Sequence, residues 1–250
     1  MGESPESKPH NAPRPAPPNW GRDALTQWLD QVRGNQWATF ARLPDTWARF
    51  SAIDGLFERM ITDWRDPPDI LAAHLFLRCY SAYRTAVAHA SAGMAVETHL
   101  MCRALLECAG YAIHIMGDPE RGVTLLNRSE PDGEQRARDE FAAGRVRRSV
   151  ATANAGMGER YKTLYGEAIN FGAHPNEGAI TGSMDITDGE NGDRLMKQIM
   201  LHEPGPMFDF GLRRVMQSAV VALEIFSHVF PDRFALLGVD ADLIHQQSGL

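Results

Sequence analysis

From His99 to Met116 most side chains are apolar, and the few that are not fall into line. His99, Arg103 and Glu107 stand at i, i+4 and i+8, and His114 follows seven residues later. At about 100° per residue these four share a stripe roughly 80° wide. The rest of the segment is built from Met101, Cys102, Leu105, Leu106, Cys108 and Ile115. An imidazole can move a proton, a guanidinium can hold an anion, and a carboxylate can orient either. Two readings are open. The stripe is a solvent face with an Arg103–Glu107 pair contributing ~0.3 kcal/mol, or it is a polar line that faces a cleft. Gly110 and Val96 flank it, where an exposed face usually draws Lys, Gln, Asp or Ser.

His174 is the second candidate. It ends a helical stretch, Asn170-Phe171-Gly172-Ala173-His174, with Pro175 directly after it. A histidine there interacts with the carbonyl end of a helix, or it is fixed at a seam between elements where pockets form. The candidate ligand-binding set is therefore Arg103, Glu107, His174 and His99.

Other chemistries lack their spacing. Glu107/His114 and Glu167/His174 are i, i+7 pairs, and Glu224/His228 is an i, i+4 pair. Neither Glu-x-x-His on two helices nor His-Glu-x-x-His occurs, so no metal site and no cofactor is expected. Gly-x-Ser-x-Gly, the Walker phosphate loop and Gly-x-Gly-x-x-Gly are missing too. Cys79, Cys102 and Cys108 lie in apolar contexts without a zinc spacing and read as buried thiols in a reducing compartment. The one basic patch, Arg145, Arg147 and Arg148, follows Asp132, Glu134, Asp139 and Glu140 and reads as a solvated mixed-charge helix.

A resemblance covers about Pro68 to Met116. Tyr83-Arg84, then Ala90-Ser91-Ala92-Gly93, Glu97, and Arg103-Ala104-Leu105-Leu106-Glu107 resemble a group of uncharacterised bacterial helical proteins. These carry an Arg-x-hydrophobic-Leu-Glu signature and are compared with the HEPN superfamily. The resemblance implies a helical bundle that commonly dimerises. For HEPN proper it implies a metal-independent ribonuclease with an Arg-x4–6-His motif at the dimer cleft. Arg84-Thr85-Ala86-Val87-Ala88-His89 fits that motif, which makes Arg84 and His89 the catalytic pair of an alternative reading.

The elements that must hold these residues are helical. The first 19 residues contain six prolines and no large apolar residue after Met1, so a disordered tail is expected over 1–19. Helical spacing then covers about Arg22 to Arg42, with a break allowed at Gly34, and Trp47 to Ile61. It resumes over Ile70 to Ala90, Met94 to Met116, a short helix begun by Asp118 and Pro119, Glu134 to Ala153 and Gly158 to Ala173. The glycine-rich stretch after Pro175 alternates from Ala179 to Thr187. With Arg194 to Leu201 it reads as an inserted β-hairpin, 178–201. Helix returns from Met207 to Phe230, and Leu236 to Leu243 reads as a docked tail.

The expectation is a mainly α, HEPN-like single helical bundle over residues 20–250. Of its 250 residues, 44% are hydrophobic and 23% charged, enough for a sizeable core, and the net charge of −7 disfavours polyanions. No stretch of ~18 apolar residues occurs, so no membrane is expected, and a cytoplasmic location follows by elimination. The functional expectation is a binding or regulatory protein for a small ligand or a protein partner, as a homodimer. The alternatives are the ribonuclease, which would make RNA the partner, and a structural protein whose Trp-rich first two helices are the contact surface.

Overall fold

The computed structural model describes residues 16–173, 176–189 and 193–248. Among them are twelve α-helices, one π-helical turn and one two-stranded hairpin, so the protein is mainly α. Most of the tail expected over residues 1–19 lies outside the described residues.

Helix α1 (Ala24–Arg42) begins where Asp23 accepts a hydrogen bond from Thr26 N, satisfying one donor of the open first turn. It passes Gly34 unbroken, since a lone helical glycine costs only ~1 kcal/mol against alanine. Helix α2 (Pro44–Ile61) follows at once, with Pro44 in the first turn where its missing N–H is not needed.

Helices α3 (Ile70–Ala92) and α4 (Ala95–Met116) form the centre. Cys79 Sγ approaches Leu105 O at 3.6 Å, a register that makes the pair antiparallel around Gly93. Gly93 has φ 88°, and a Cβ there would lie 2.4 Å from His202 O. Its own carbonyl accepts from His202 N at 2.7 Å, which ties the α3–α4 turn to the segment just before Pro206. Helix α10 (Pro206–Val229) packs against both central helices. Where α2, α3 and α10 meet, Phe57 stacks on Tyr80 and Tyr83 at 5.2 and 5.3 Å, and Phe76 meets Phe226 edge-on at 4.9 Å. Each such ring, fully buried, stabilises the fold by about 1.5–3 kcal/mol.

Helices α5 (Glu120–Leu126), α6 (Gly133–Glu140), α7 (Ala143–Ala153) and α8 (Ala155–Ala168) wrap the other side of α4. The single helix expected over Glu134 to Ala153 is thus two. The chain leaves the helix at Phe141–Ala142, where Ala142 has ψ 135°. Phe141, the one large apolar residue of that polar stretch, is thereby buried 4.7 Å from the Tyr111 ring and 5.3 Å from His114. Burying that ring outweighs helical continuity.

After α8 the chain widens into a π-helical turn, Ile169–Ala173. Helix α9 (Glu177–Thr181) then replaces the start of the expected strand. Asn176 accepts from Ala179 N, and this cap holds Ala179-Ile180-Thr181 helical despite their alternation. The hairpin is shorter than expected: β1 (Met184–Asp188) pairs antiparallel with β2 (Arg194–Gln198), with Ile186 opposite Met196. Three of the four residues of its expected turn, Glu190, Asn191 and Gly192 but not Gly189, lie outside the described residues. The tail docks, with Val239 and Leu243 buried. Its residues form α11 (Pro231–Leu236) and α12 (Val239–Gln247), held to α2 by Arg233 Nε donating to Met60 O at 2.8 Å and by the Arg59–Asp242 pair. No helix is long and apolar enough to cross a membrane among the described residues.

Candidate functional site

The polar stripe of α4 is not an ordinary solvent face, because the π-helical turn, α7 and α8 all pack on that helix. Gly172 permits the closest approach. A Cβ there would lie 2.1 Å from Val96 O and 3.0 Å from His99 Cβ, so no other residue lets the turn seat on α4. A π turn inside a helix is often found at functional sites.

Arg103 and Glu107 lie side by side on this face, each about 28–29% exposed. Arg103 Nε donates to Glu107 Oε1 at 2.8 Å, and Tyr165 of α8 donates its hydroxyl to the same oxygen at 2.8 Å. The guanidinium also lies 5.8 Å from the Tyr165 ring centre. Burial works against the Arg103 charge, but the hydrogen bond and charge of Glu107 outweigh it, so the arginine pKa is raised. Burial, and then the Glu107 charge, push the Tyr165 phenol up to about 12. It therefore keeps its proton and remains a donor at neutral pH. The trio is a carboxylate oriented from two sides, with its second oxygen taking no hydrogen bond among the described residues.

One turn earlier on α4, His99 is 1% exposed. Its Nδ1–H donates to Ala95 O at 2.7 Å, which leaves Nε2 an acceptor, and no group among the described residues donates to it. The ring stacks on Phe210 at 5.2 Å and tilts against Phe171 of the π turn at 5.7 Å. Burial, and then the nearby Arg214 charge, hold its pKa below the ordinary histidine value, so the imidazole is neutral. Arg214 of α10 lies over Phe210 and donates from Nη2 to Glu167 Oε1 at 2.9 Å. A groove of about 480 Å³ opens between α8 and α10 beside this ion pair, with Arg160, Arg214 and Gln217 around a floor of Leu164, Val220 and Val221. Arg103 and Glu107 do not line it.

The remaining sequence candidates fall elsewhere. His174 and Pro175 lie outside the described residues. His114 leaves the stripe's neighbourhood and is buried under α5, α6 and α7. Arg84 is held bidentately by Asp54 of α2 at 2.9 Å and lies over the Tyr80 ring at 4.3 Å. It borders a cavity of about 260 Å³ that His89 does not line. No cluster of three or more His, Cys, Asp or Glu able to hold a metal occurs among the described residues. Cys79 and Cys102 are buried and Cys108 half-buried, with burial pushing the last two thiols up to about 12 and 11.

Tyr165, Arg214 and Ser149, which the sequence did not single out, stand against the stripe residues. Only the shared period of Tyr161 and Tyr165 along α8 hinted at a ring facing α4. No protein-family model, curated protein or solved structure matches the chain.

Proposed function

We propose that the protein is a HEPN-like helical binding or regulatory module whose ligand is met at Arg103, Glu107 and Tyr165, with His99 behind them. The observation that carries this reading is the Glu107 carboxylate, half-buried and fixed by two donors on one oxygen while the other oxygen takes no hydrogen bond among the described residues. A surface pair would not recruit a tyrosine from a second helix, and a purely structural pair would be expected to satisfy both oxygens. The open oxygen calls for a hydrogen-bond donor, so the ligand chemistry is an amine, amide or amidine group. The residues behind the HEPN resemblance lie on α3 and α4, the antiparallel pair at the centre of the bundle.

The test is a thermal-shift panel of polyamines, amino acids, nucleosides and nucleotides on wild type, Glu107→Gln and Arg103→Gln. At least one compound carrying N–H donors should raise the wild-type melting temperature and lose its effect in both variants. Equal responses in all three proteins would end this reading.

A second reading is favoured by α1. Leu25, Leu29, Trp37 and Phe40 are all exposed, and their positions fall within a stripe about 120° wide. Such a face is a partner surface, with a second copy of the chain as the occupant the resemblance suggests. Sedimentation of wild type against Trp37→Glu/Phe40→Glu tests it. A monomer in both cases would remove homodimerisation through α1.

A further inference from the structure

The end of α4 carries a separate arrangement. His114, 2% exposed, lies with Nδ1 2.7 Å from Ser149 Oγ of α7 and Nε2 3.1 Å from Glu140 Oε1 of α6. Chemistry fixes which nitrogen holds the proton. Arg121 of α5 places Nη1 3.4 Å from Nδ1, and a guanidinium can only donate, whereas the Glu140 carboxylate can only accept. The proton therefore sits on Nε2 and is donated to Glu140. Nδ1 is a bare lone pair that accepts the Ser149 hydroxyl.

We propose that Ser149 is an activated serine nucleophile, with His114 as its general base, and that it accepts the acyl group of small esters. The roles follow the logic of nucleophile, base and orienting acid, recognised by geometry rather than by position in the chain. Three observations support it beyond the two distances. Among the described residues Ser149 makes no hydrogen bond to its own helix, the usual outlet of a helical serine, so its proton is committed to the imidazole. Ser149 is a half-exposed residue, while its base is sealed from water. Glu140 is held in place by Arg121 Nε at 3.0 Å and Arg145 Nη1 at 2.6 Å, and so its carboxylate faces the imidazolium that forms. Burial and the Arg121 charge hold His114 below the ordinary histidine value, so the base is unprotonated at neutral pH.

In the first step Ser149 Oγ bonds to the ester carbonyl carbon as its proton passes to His114 Nδ1. The Arg121 guanidinium beside that nitrogen offsets the charge on the carbonyl oxygen. The carbon–oxygen bond to the leaving group then breaks, and the leaving alkoxide takes the proton from Nδ1. In the second step water attacks acyl-Ser149 with its proton again passing through Nδ1. Serine is restored and the carboxylic acid is released.

The test uses the full chain with 4-nitrophenyl acetate for turnover and an alkyl fluorophosphonate for trapping, read by intact mass and peptide mapping. One adduct per chain at Ser149 is expected, absent in Ser149→Ala, with labelling slowed at least tenfold in Glu140→Gln and in His114→Gln. His114 is buried, so circular dichroism melts accompany its variant, and the half-exposed Glu140→Gln carries the test if that variant fails to fold. The labelling rate should rise with pH as His114 loses its proton. The midpoint should fall in Glu140→Gln, because the carboxylate favours the imidazolium while Arg121, itself 4.0 Å from Asp118, opposes it and Arg145 acts only through Glu140. An effect through packing alone would leave the midpoint in place. Absence of an adduct at Ser149, or labelling at an unchanged rate in folded Glu140→Gln, would overturn the proposal.

Discussion

Glu107→Ala separates a surface pair from a built site. The substitution removes one oxygen that receives both Arg103 Nε and the Tyr165 hydroxyl at 2.8 Å. An exposed pair would lose under ~1 kcal/mol, and a fully buried one broken on one side would lose ~3–5 kcal/mol. The two side chains are 28% and 29% exposed, so water reaches the Arg103 guanidinium and repays part of the loss. The tyrosine hydroxyl is worse placed, since burial dominates its surroundings. A hydrogen bond to a charged group contributes ~1.5–3 kcal/mol, and partial rehydration brings the expected cost to ~2 kcal/mol. For a chain of this size that lowers the melting temperature by about 4–8 °C. Glu107→Gln, which keeps an acceptor for Tyr165, should cost about half as much. A double-mutant cycle of Glu107→Gln with Tyr165→Phe should return a coupling of ~1 kcal/mol. A loss below ~0.5 kcal/mol for Glu107→Ala, the ordinary range for surface substitutions, together with no coupling, would refute the reasoning.

Gly172→Ala should be severe for a single methyl, ~3 kcal/mol or more, because its Cβ meets the Val96 carbonyl at 2.1 Å and overpacking against backbone is not relieved by a rotamer change; a chemical melt within ~1 kcal/mol of wild type would show that the π turn does not need this contact. His99, His114 and His202 all have folded pKa values below the ordinary 6.5, burial being the largest cause in each. The unfolded chain therefore binds more protons, and stability is full above about pH 6.5 and falls as pH drops through the folded values. Urea midpoints at pH 7 and pH 5 check the sign, and a higher midpoint at pH 5 in low salt would contradict it. Finally, varied RNAs in chelator should stay intact, since Arg84 is occupied by Asp54 and His89 does not line its cavity. Cleavage lost in a folded His89→Ala would restore the ribonuclease reading.

Much of the helical layout was legible in the sequence because it depends on local causes. Asp23, Asp69 and Asn154 cap first turns, Pro44 sits where a first turn tolerates it, and the apolar spacing of Ile53, Leu56, Phe57 and Met60 marks one buried face. The line of His99, Arg103, Glu107 and His114 was equally plain, being a matter of period along one helix. What covers that line was not legible, because a helix's period fixes which residues share a face but not what packs on it. Arg103 and Glu107 meet a tyrosine 58 positions from Glu107, while His114, on the same stripe, meets a serine 35 positions away and a glutamate 26 away. The break at Phe141 was hidden for the same reason, since it depends on space against Tyr111 and His114 that only the folded α4 provides. Local hydrogen bonding and periodicity set the helices. The partners of the buried polar groups, and with them the chemistry open to His99, Glu107 and Ser149, were decided by packing between segments far apart in the chain.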